Sequence, residues 1–198
     1  MHVLMIDNFD SFTFNLVDDL EKLDVEVSVV RNDISLAKIQ SFITRKKITH
    51  VVLSPGPGTP EQAGVCIPLI RALKGVMPVL GVCLGHQAIV VAYGGEVGPS
   101  GELFHGKSSK VYYENSMLIK GPPGQFTVGR YHSLAAIKVT ESLKVTATVI
   151  DKNMTVPMMV EDQNNGIFGV QFHPESILTP QGTLILENFI ACELHNNC

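Results

Sequence analysis

The fold is decided at residues 77–93, MPVLGVCLGHQAIVVAY, where an apolar run passes directly into a helical pattern. Residues 77–82 predict a buried strand and residues 84–93 predict a helix, so Cys83 stands at their junction. Glycines two positions before and two positions after Cys83 complete the pattern G-x-C-x-G, the thiol form of a nucleophile elbow. A strand that turns into a helix in this way is typical of α/β proteins with a parallel sheet.

The rest of the first half alternates strand and helix signals in the same manner. Strands are predicted at 3–6, 25–30 and 50–54, and helices after a cap at Ser11, near 35–45 and at 64–74. Consecutive strands separated by helices imply right-handed crossovers and a mostly parallel sheet.

The pattern of predicted secondary structure changes after residue 95. Short β-branched stretches, separated by glycine, proline and asparagine, predict antiparallel strands at 109–113, 144–150, 156–160 and 167–172. A last helix is predicted at about 180–194, with apolar side chains available for burial at Leu184, Leu186, Phe189 and Ile190. We therefore expect one α/β domain over residues 1–198. It would be a three-layer, mostly parallel open sheet flanked by helices, with antiparallel strands added in the second half.

The charge content excludes two classes of protein. Lys and Arg number 15 against 19 Asp and Glu, a net charge of −4 that lacks the basic field a nucleic-acid binder needs. A hydrophobic content of 45% excludes intrinsic disorder. Charged residues make up only 17%, where an average domain has roughly 25%. This deficit predicts apolar or neutral surface that a partner covers.

Cysteine spacing and the N-terminus bear on the cellular compartment. Cys66, Cys83, Cys192 and Cys198 are scattered, with neither a disulfide framework nor a zinc spacing. The chain opens on a strand signal without a basic leader, and no apolar run reaches about 18 residues, so neither a signal peptide nor a membrane span is expected. We expect a cytoplasmic protein.

Cys83 has the setting of a catalytic nucleophile. On a strand-to-helix turn its side chain projects from the carboxyl edge of the sheet, and the helix N-terminus that follows stabilises an anion. A thiolate also needs a base and a group that orients the base. Gln171-Phe172-His173-Pro174-Glu175 offers both, because residues i and i+2 of an extended segment point to the same side. His173 would take the thiol proton and Glu175 would hold the imidazole tautomer.

Acyl transfer further requires donors for the oxyanion. Ser54-Pro55-Gly56-Pro57-Gly58 follows the third predicted strand at the same edge of the sheet, and its glycines allow the backbone to approach a substrate closely. The amides of Gly58 and Leu84 are the predicted donors. Phosphate binding is a poor interpretation of this loop, since it has neither G-x-G-x-x-G nor a Lys-Ser/Thr pair.

Four blocks extend this pattern over the chain: S-P-G-P-G-T-P at 54–60, G-V-C-L-G-H-Q at 81–87, R-Y-H-S-L at 130–134 and G-V-Q-F-H-P-E-S at 169–176. In order and spacing they resemble the class I, triad-type glutamine amidotransferases, which implies a flavodoxin-like fold. The resemblance implies that Cys83 attacks the side-chain amide of glutamine, with His173 and Glu175 completing the triad. It assigns the oxyanion hole to Gly58 and Leu84. It assigns the glutamine pocket to Gly56, Pro57, Gly58, Gln87, Ser133 and Leu134.

Further blocks narrow the resemblance. M-I-D-N-F-D-S-F-T-F-N-L at 5–16, A-Y-G-G at 92–95, H-G-K at 105–107 and S-I-L-T-P-Q-G at 176–182 are similar to the glutaminase component of anthranilate synthase. The glutaminase of aminodeoxychorismate synthase is a near neighbour, and one glutaminase that serves both pathways stays open. The resemblance implies L-glutamine as substrate and a hetero-oligomer in which the partner is a chorismate-binding synthase subunit. It implies no metal or other cofactor in this chain, with Mg²⁺ in the partner alone.

Two other classes of function also fit part of the pattern. A stand-alone cysteine γ-glutamyl hydrolase would use the same triad with a more open pocket and no partner. A non-enzymatic flavodoxin-like binding module would not need H-P-E. The roles of His86, His105 and His132 stay open, and His195 has no motif around it.

Overall fold

The structure is a computed structural model that describes residues 1–101, 103–152 and 154–194. The chain forms five α-helices and eleven β-strands within these ranges, and it also has two short 3-10 turns, Pro60–Gln62 and Gln163–Asn165. In chain order those elements are β1 (His2–Asp7), α1 (Thr13–Glu21), β2 (Glu26–Arg31), α2 (Leu36–Lys46), β3 (His50–Leu53), α3 (Cys66–Leu73), β4 (Val79–Val82), α4 (Leu84–Ala92), β5 (Glu96–Pro99), β6 (Lys107–Tyr113), β7 (Gly124–Arg130), β8 (Leu134–Lys138), β9 (Lys144–Asp151), β10 (Met154–Asp162), β11 (Ile167–Val170) and α5 (Gly182–Ile190).

The main sheet has nine strands in the order β2-β1-β3-β4-β11-β10-β9-β6-β7. Its first five strands are parallel, with β1 between β2 and β3, and β4 between β3 and β11. From β11 onward each neighbour is antiparallel. Strands β5 and β8 form a separate antiparallel ribbon. The predicted α/β fold, a mostly parallel core sheet extended by antiparallel strands, is confirmed.

Helices cover both faces of the parallel strands, which gives three layers. In β1, Val3 and Met5 pack on one face with α1 and α5, whereas Leu4 and Ile6 pack on the other with α2, α3 and α4. Because both faces are buried, these strands are continuously apolar. The carboxyl ends of the parallel strands are left open between the two helical layers, and the loops there carry the predicted chemistry.

Ser11 does not cap α1, contrary to the sequence prediction. Phe12 occupies the N-cap position, and its N–H donates to Asp10 Oδ2 at 2.7 Å. Thr13 Oγ1, at the first helical residue, donates to Asp7 Oδ1 at 2.9 Å. The carboxylates of the D-N-F-D turn therefore hold the residues that enter the helix, whereas the first helical N–H, that of Thr13, donates to the main-chain oxygen of Asp10 at 3.3 Å.

The antiparallel region departs most from prediction. Strands β5, β7 and β8 were not predicted, since β7 contains two glycines and β8 reads Leu-Ala-Ala-Ile-Lys, a composition with little β-branching. The predicted strand 167–172 ends at Val170 and pairs parallel with β4 as well as antiparallel with β10. Helix α5 is shorter than predicted. Within it Leu184 is 45% exposed, and Ile185 takes the buried position beside Leu186, Phe189 and Ile190.

Candidate active site

Cys83 lies between β4 and α4 with φ 52° and ψ −100°, a left-handed backbone conformation that costs energy for a residue with a side chain. The glycines around it are required by space. A Cβ on Gly81 would lie 2.4 Å from the Gly85 carbonyl oxygen, and one on Gly85 would lie 2.4 Å from the Leu53 carbonyl oxygen. The Cys83 N–H donates to Val170 O at 2.9 Å, which ties the elbow to β11. The strained turn predicted from G-x-C-x-G is present.

His173 and Glu175 form a buried pair beside Cys83. Nδ1 of His173 lies 2.6 Å from Glu175 Oε1, and both side chains are almost completely buried. Burial lowers the pKa of His173, but the adjacent Cys83 sulfur and the Glu175 carboxylate outweigh it and raise the pKa to about 10. His173 Nε2 has no hydrogen-bond partner among the described residues. That nitrogen is therefore the one left to exchange a proton at the sulfur.

Hydrogen bonds, helix packing and two aromatic rings hold the H-P-E turn in place. The His173 N–H donates to Gly129 O at 3.2 Å, and Thr179 Oγ1 donates to His173 O at 2.7 Å. The N-terminus of α5 packs directly on the turn, because a Cβ on Gly182 would lie 1.7 Å from Pro174 O. The rings of Phe12 and Tyr131 stand edge-on to the imidazole at 5.3 and 4.8 Å between centroids.

A cavity of about 190 Å³ opens beside Cys83. Its lining includes all the residues predicted for the oxyanion hole and for glutamine: Gly56, Pro57, Gly58, Leu84, Gln87, Ser133 and Leu134. Tyr131 and His132 complete the wall, whereas His173 and Glu175 do not line the cavity. The structure thus brings the predicted pocket residues together around Cys83, the predicted nucleophile, while their roles toward glutamine stay predictions.

The loop that carries Gly56 and Gly58 rests on Asn8, which sequence reasoning missed. The Asn8 N–H donates to Ser54 Oγ at 2.8 Å, and its Nδ2 donates to Ser54 O at 2.7 Å. A Cβ on Gly56 would lie 2.5 Å from Asn8 Cβ, and Gly58 has φ 80°. A usable signal was present, since Asn8 follows the first strand at the same sheet edge as this loop.

Gln87 is buried, and the protein already uses both of its N–H groups. Nε2 donates to Leu134 O at 3.0 Å and to Gln171 Oε1 at 3.2 Å. What remains for a ligand is Oε1, an acceptor suited to an ammonium group. The carbonyls of Ser133 and Leu134 each accept two hydrogen bonds from the protein, so these two oxygens are already occupied. Within the predicted pocket we therefore expect Gln87 Oε1 to be the acceptor for the α-amino group of glutamine.

His132 supports the pocket wall from behind. Arg130 Nε donates to its Nε2 at 3.1 Å, so the ring carries its proton on Nδ1 and donates to Leu134 O at 2.9 Å. Burial and the neighbouring Arg130 lower the pKa of His132 to about 4. Arg130, which is fully buried, also pairs with Asp151 and lies over the Phe104 ring at 3.5 Å. This buried ion pair was missed because nothing in R-Y-H-S-L marks its arginine as buried.

The remaining histidines and cysteines differ from the triad members. Burial lowers the pKa of His86 to about 3, so the ring is neutral, and it packs against Gly169. His105 is exposed, with its ring 6.4 Å from that of Tyr131. Burial raises the pKa of the Cys66 and Cys192 thiols to about 12 and about 11. Cys198 and His195 lie outside the described residues.

Two negative findings apply to the described ranges, 1–101, 103–152 and 154–194. No group of three or more His, Cys, Asp or Glu side chains there is arranged to hold a metal ion. Within the same ranges every helix falls short of the length and hydropathy that a membrane span requires.

Comparisons with known proteins agree with this geometry. A family model described as glutamine amidotransferase class-I matches residues 4–192. The chain is 44% identical over 196 residues to anthranilate synthase component 2 of Vibrio parahaemolyticus, covering 99% of this chain and 98% of that protein. It is 45% identical to the protein of the same name from Pseudomonas aeruginosa, covering 95% and 94%. A solved structure from Thermoplasma acidophilum, assigned to a GMP synthase, superposes with a TM-score of 0.82 at 23% identity, covering 97% and 93%.

Proposed function

This chain belongs to the class-I glutamine amidotransferase family, and from that premise we propose that it is the glutaminase component of an anthranilate synthase. The observation that carries the proposal is a strained Cys83 beside the buried His173–Glu175 pair, at a cavity lined by the residues predicted to hold glutamine. Relatives at 44% and 45% identity that carry the name anthranilate synthase component 2 support the choice of pathway.

In the acylation step the Cys83 sulfur attacks the side-chain amide carbon of glutamine. A sulfur–carbon bond forms, and the negative charge moves to the former carbonyl oxygen, which the N–H groups of Gly58 and Leu84 receive. His173 holds a proton at neutral pH because its pKa is raised, so it can protonate the leaving nitrogen. The carbon–nitrogen bond then breaks, which leaves ammonia and a γ-glutamyl thioester.

In the deacylation step water attacks the thioester carbon. His173, neutral after giving up its proton, takes a proton from that water, and Glu175 stabilises the imidazolium that results. The sulfur–carbon bond breaks with its electron pair returning to sulfur, and glutamate leaves. The cavity of about 190 Å³ suits a single amino acid, which disfavours a hydrolase for larger γ-glutamyl substrates.

Ammonia released into water becomes ammonium, which is not a nucleophile, so the glutaminase requires a partner that receives ammonia directly. The apolar surface near the triad supports docking there. Phe9, Phe14 and Ile177 are 52%, 65% and 96% exposed, and we call them the mouth patch. Ile177 follows Glu175 by two residues, and Phe9 and Phe14 flank Phe12, whose ring contacts His173. Exposed apolar side chains this close in sequence to the site residues favour an interaction surface there.

The proposal assigns chorismate and Mg²⁺ to the partner synthase and only glutamine to this chain. It also places the complex in the cytoplasm, where reducing conditions keep Cys83 as a thiol. The partner would seal the mouth patch and the Cys83 cavity against water, which protects the ammonia from protonation on its way to the second site. The low charge content of the chain, 17%, fits a surface that is covered in this way.

The test is co-purification with the chorismate-binding synthase from the same organism, followed by assay of the aromatic product from chorismate and glutamine. Anthranilate is the expected product, and aminodeoxychorismate would contradict the pathway. Glutaminase activity should be low in the isolated chain and should rise when the complex binds chorismate. Full glutaminase activity in the isolated chain would contradict the coupling and favour a stand-alone hydrolase.

A further inference from the structure

Gln171 touches the nucleophile, although the mechanism above gives it no role. Its side chain is fully buried, and Nε2 lies 3.6 Å from Cys83 Sγ. The main-chain N–H of Gln171 donates to Met158 O at 2.9 Å, which fixes the backbone next to β10. Two residues later the chain supplies His173, so the segment after β11 approaches the sulfur with two different side chains.

The orientation of the Gln171 amide follows from its neighbours. A side-chain amide has one donor end and one acceptor end, and these are told apart only by what they contact. Leu134 O can only accept, so the Gln87 atom at 3.0 Å from it must be Nε2. The same Nε2 lies 3.2 Å from the Gln171 side chain, which must therefore present Oε1 there. The opposite end of the Gln171 amide, an N–H, consequently faces the sulfur.

The chain of hydrogen bonds behind Gln87 has one fixed direction. Arg130 Nε can only donate, so His132 accepts it on Nε2 and donates from Nδ1 to Leu134 O. Leu134 O therefore accepts from both His132 and Gln87, which prevents Gln87 from rotating its acceptor toward Gln171. Reversing the Gln171 amide would place two donors face to face at Gln87 and an oxygen lone pair against the sulfur.

We propose that Gln171 is a catalytic residue that donates a hydrogen bond to the Cys83 thiolate, with Gln87 holding that donor in orientation. An N–H aimed at sulfur stabilises the anion more than the neutral thiol or thioester. The donor therefore favours ionised sulfur before attack on the amide carbon. It also favours departure of the sulfur, with its electron pair, when the thioester carbon–sulfur bond breaks. Gln171 transfers no proton. This inference rests on the proposed function.

The test measures the rate at which iodoacetamide alkylates Cys83 as a function of pH, with the labelled peptide identified by mass spectrometry. Gln171→Met keeps the length of the side chain and removes the donor. We expect its alkylation rate at neutral pH to fall about tenfold and the midpoint of its pH–rate profile to rise by about one pH unit. Gln171→Glu keeps the acceptor for Gln87 but puts a carboxylate oxygen against the sulfur, so the midpoint should rise further.

Gln125→Glu is the matched control, because Gln125 is exposed on β7 and the change adds the same charge. Its alkylation profile should coincide with that of the unmodified protein. Gln171→Asn provides a smaller change that keeps the amide but withdraws it from the sulfur, and it should shift the midpoint in the same direction. In the complex with the synthase, Gln171→Met should lower the kcat for glutamine about tenfold with little change in KM.

The inference would be overturned if the midpoint of the pH–rate profile were the same as in the unmodified protein for all three variants, Gln171→Met, Gln171→Glu and Gln171→Asn. A loss of thermal stability or a rise in KM without a change in the pH profile would also overturn it, because either would indicate a purely structural role. Alkylation involves neither glutamine nor the partner. If the proposed function fails, the unmodified chain will not hydrolyse glutamine while the alkylation shift persists, so the two failures are distinguishable.

Discussion

The parallel strands β1 to β4 and β11 differ from the antiparallel strands β5 to β10 in what they contribute to the site. The parallel region holds Cys83 on a strained elbow and carries the loop with Gly56 and Gly58. The antiparallel region holds the pocket wall and positions His173, because Gly129 O near the end of β7 accepts the His173 N–H. The position of the proposed nucleophile thus depends on close backbone packing in one region, and the shape of the proposed glutamine pocket depends on a buried polar network in the other.

The largest expected effect is the loss of glutaminase activity when Cys83 is replaced, in contrast to the replacement of another buried cysteine. Cys83→Ala should lower glutaminase kcat at least about 10⁴-fold, because the attacking atom is gone. Synthesis of the aromatic product from free ammonia in the complex should persist, since the synthase chemistry is untouched.

Cys192→Ala is the matched control, as this thiol is also buried and burial raises its pKa to about 11. It should leave glutamine hydrolysis within about twofold of the unmodified protein, since surrounding groups do not activate this sulfur. Comparable losses in both variants, measured by glutamate release, would mean that Cys83 is not the nucleophile.

The next effect tests the polar network of the antiparallel region. Arg130→Met leaves Asp151 without its partner and removes the donor that sets the tautomer of His132, so it should cost about 3–5 kcal/mol of unfolding free energy. Because the wall at Ser133 and Leu134 loosens, KM for glutamine should rise more than kcat falls. Urea unfolding and steady-state kinetics measure the two changes. Arg71→Met, at an exposed arginine, should change stability by less than about 0.5 kcal/mol.

A smaller effect is expected when the stability of a glycine variant in the parallel region is compared with that of a glycine variant in the antiparallel region. Gly85→Ala places a Cβ 2.4 Å from Leu53 O, a backbone atom of β3 that cannot give way, so we expect about 1–3 kcal/mol of destabilisation and loss of glutaminase activity. Gly98→Ala, on β5, meets only the end of the Ile137 side chain at 3.1 Å, which can rotate. Thermal unfolding should show little change there. Equal losses in the two variants would contradict the difference in packing drawn between the regions.

A further prediction concerns how the free energy of unfolding depends on pH. His86 and His132 have pKa values lowered to about 3 and about 4, whereas the unfolded value is near 6.5. Their full contribution to the free energy of unfolding is present above pH 6.5. It is lost as the pH falls toward 4, because the rings take up protons more readily in the unfolded chain. His173 has a pKa raised to about 10, so its contribution is complete below 6.5 and is lost as the pH rises toward 10. Urea unfolding across this range should therefore show a maximum near neutral pH.

Replacing a buried histidine should change only the acid side of that profile. His86→Met removes a group that must become charged on unfolding in acid, so it should flatten the loss of stability below neutral pH. His105→Gln, at an exposed position, should leave the acid side as in the unmodified protein. An acid side that is equally steep in His86→Met would contradict the assignment of that loss to the buried ring.

Sequence reasoning predicted the parallel region well because its signals are local. G-x-C-x-G identifies the elbow, since both glycines are required by atoms within or next to the same strand–helix unit. The predicted pairing of His173 with Glu175 is present, but Pro174 and Glu175 lie in a turn and not in the extended segment from which the pairing was inferred. Strand β8 could not be predicted, because Leu-Ala-Ala-Ile-Lys has no strand preference of its own and becomes a strand by pairing with β5.

The side chains that sequence reasoning missed act over long separations. Gln171 lies 84 residues from Gln87 and 88 from Cys83, so its contact with the sulfur exists only once β11 pairs with β4. Arg130 shows the same limit, since its partner Asp151 lies on β9 and nothing in either segment marks the pair as buried. Both residues belong to hydrogen-bond networks, whose members are defined by geometry rather than by spacing.

The sharpest test of Cys83 as the nucleophile of a glutamine-sized site is labelling with a glutamine-analogue electrophile, read by peptide mass spectrometry. We expect one modified residue, Cys83, with no label on Cys66, Cys192 or Cys198. We also expect glutamine to protect Cys83 and a bulky γ-glutamyl peptide to give no protection, because the cavity of about 190 Å³ suits a single amino acid. No labelling, labelling of another cysteine, or equal protection by the bulky peptide would contradict this assignment.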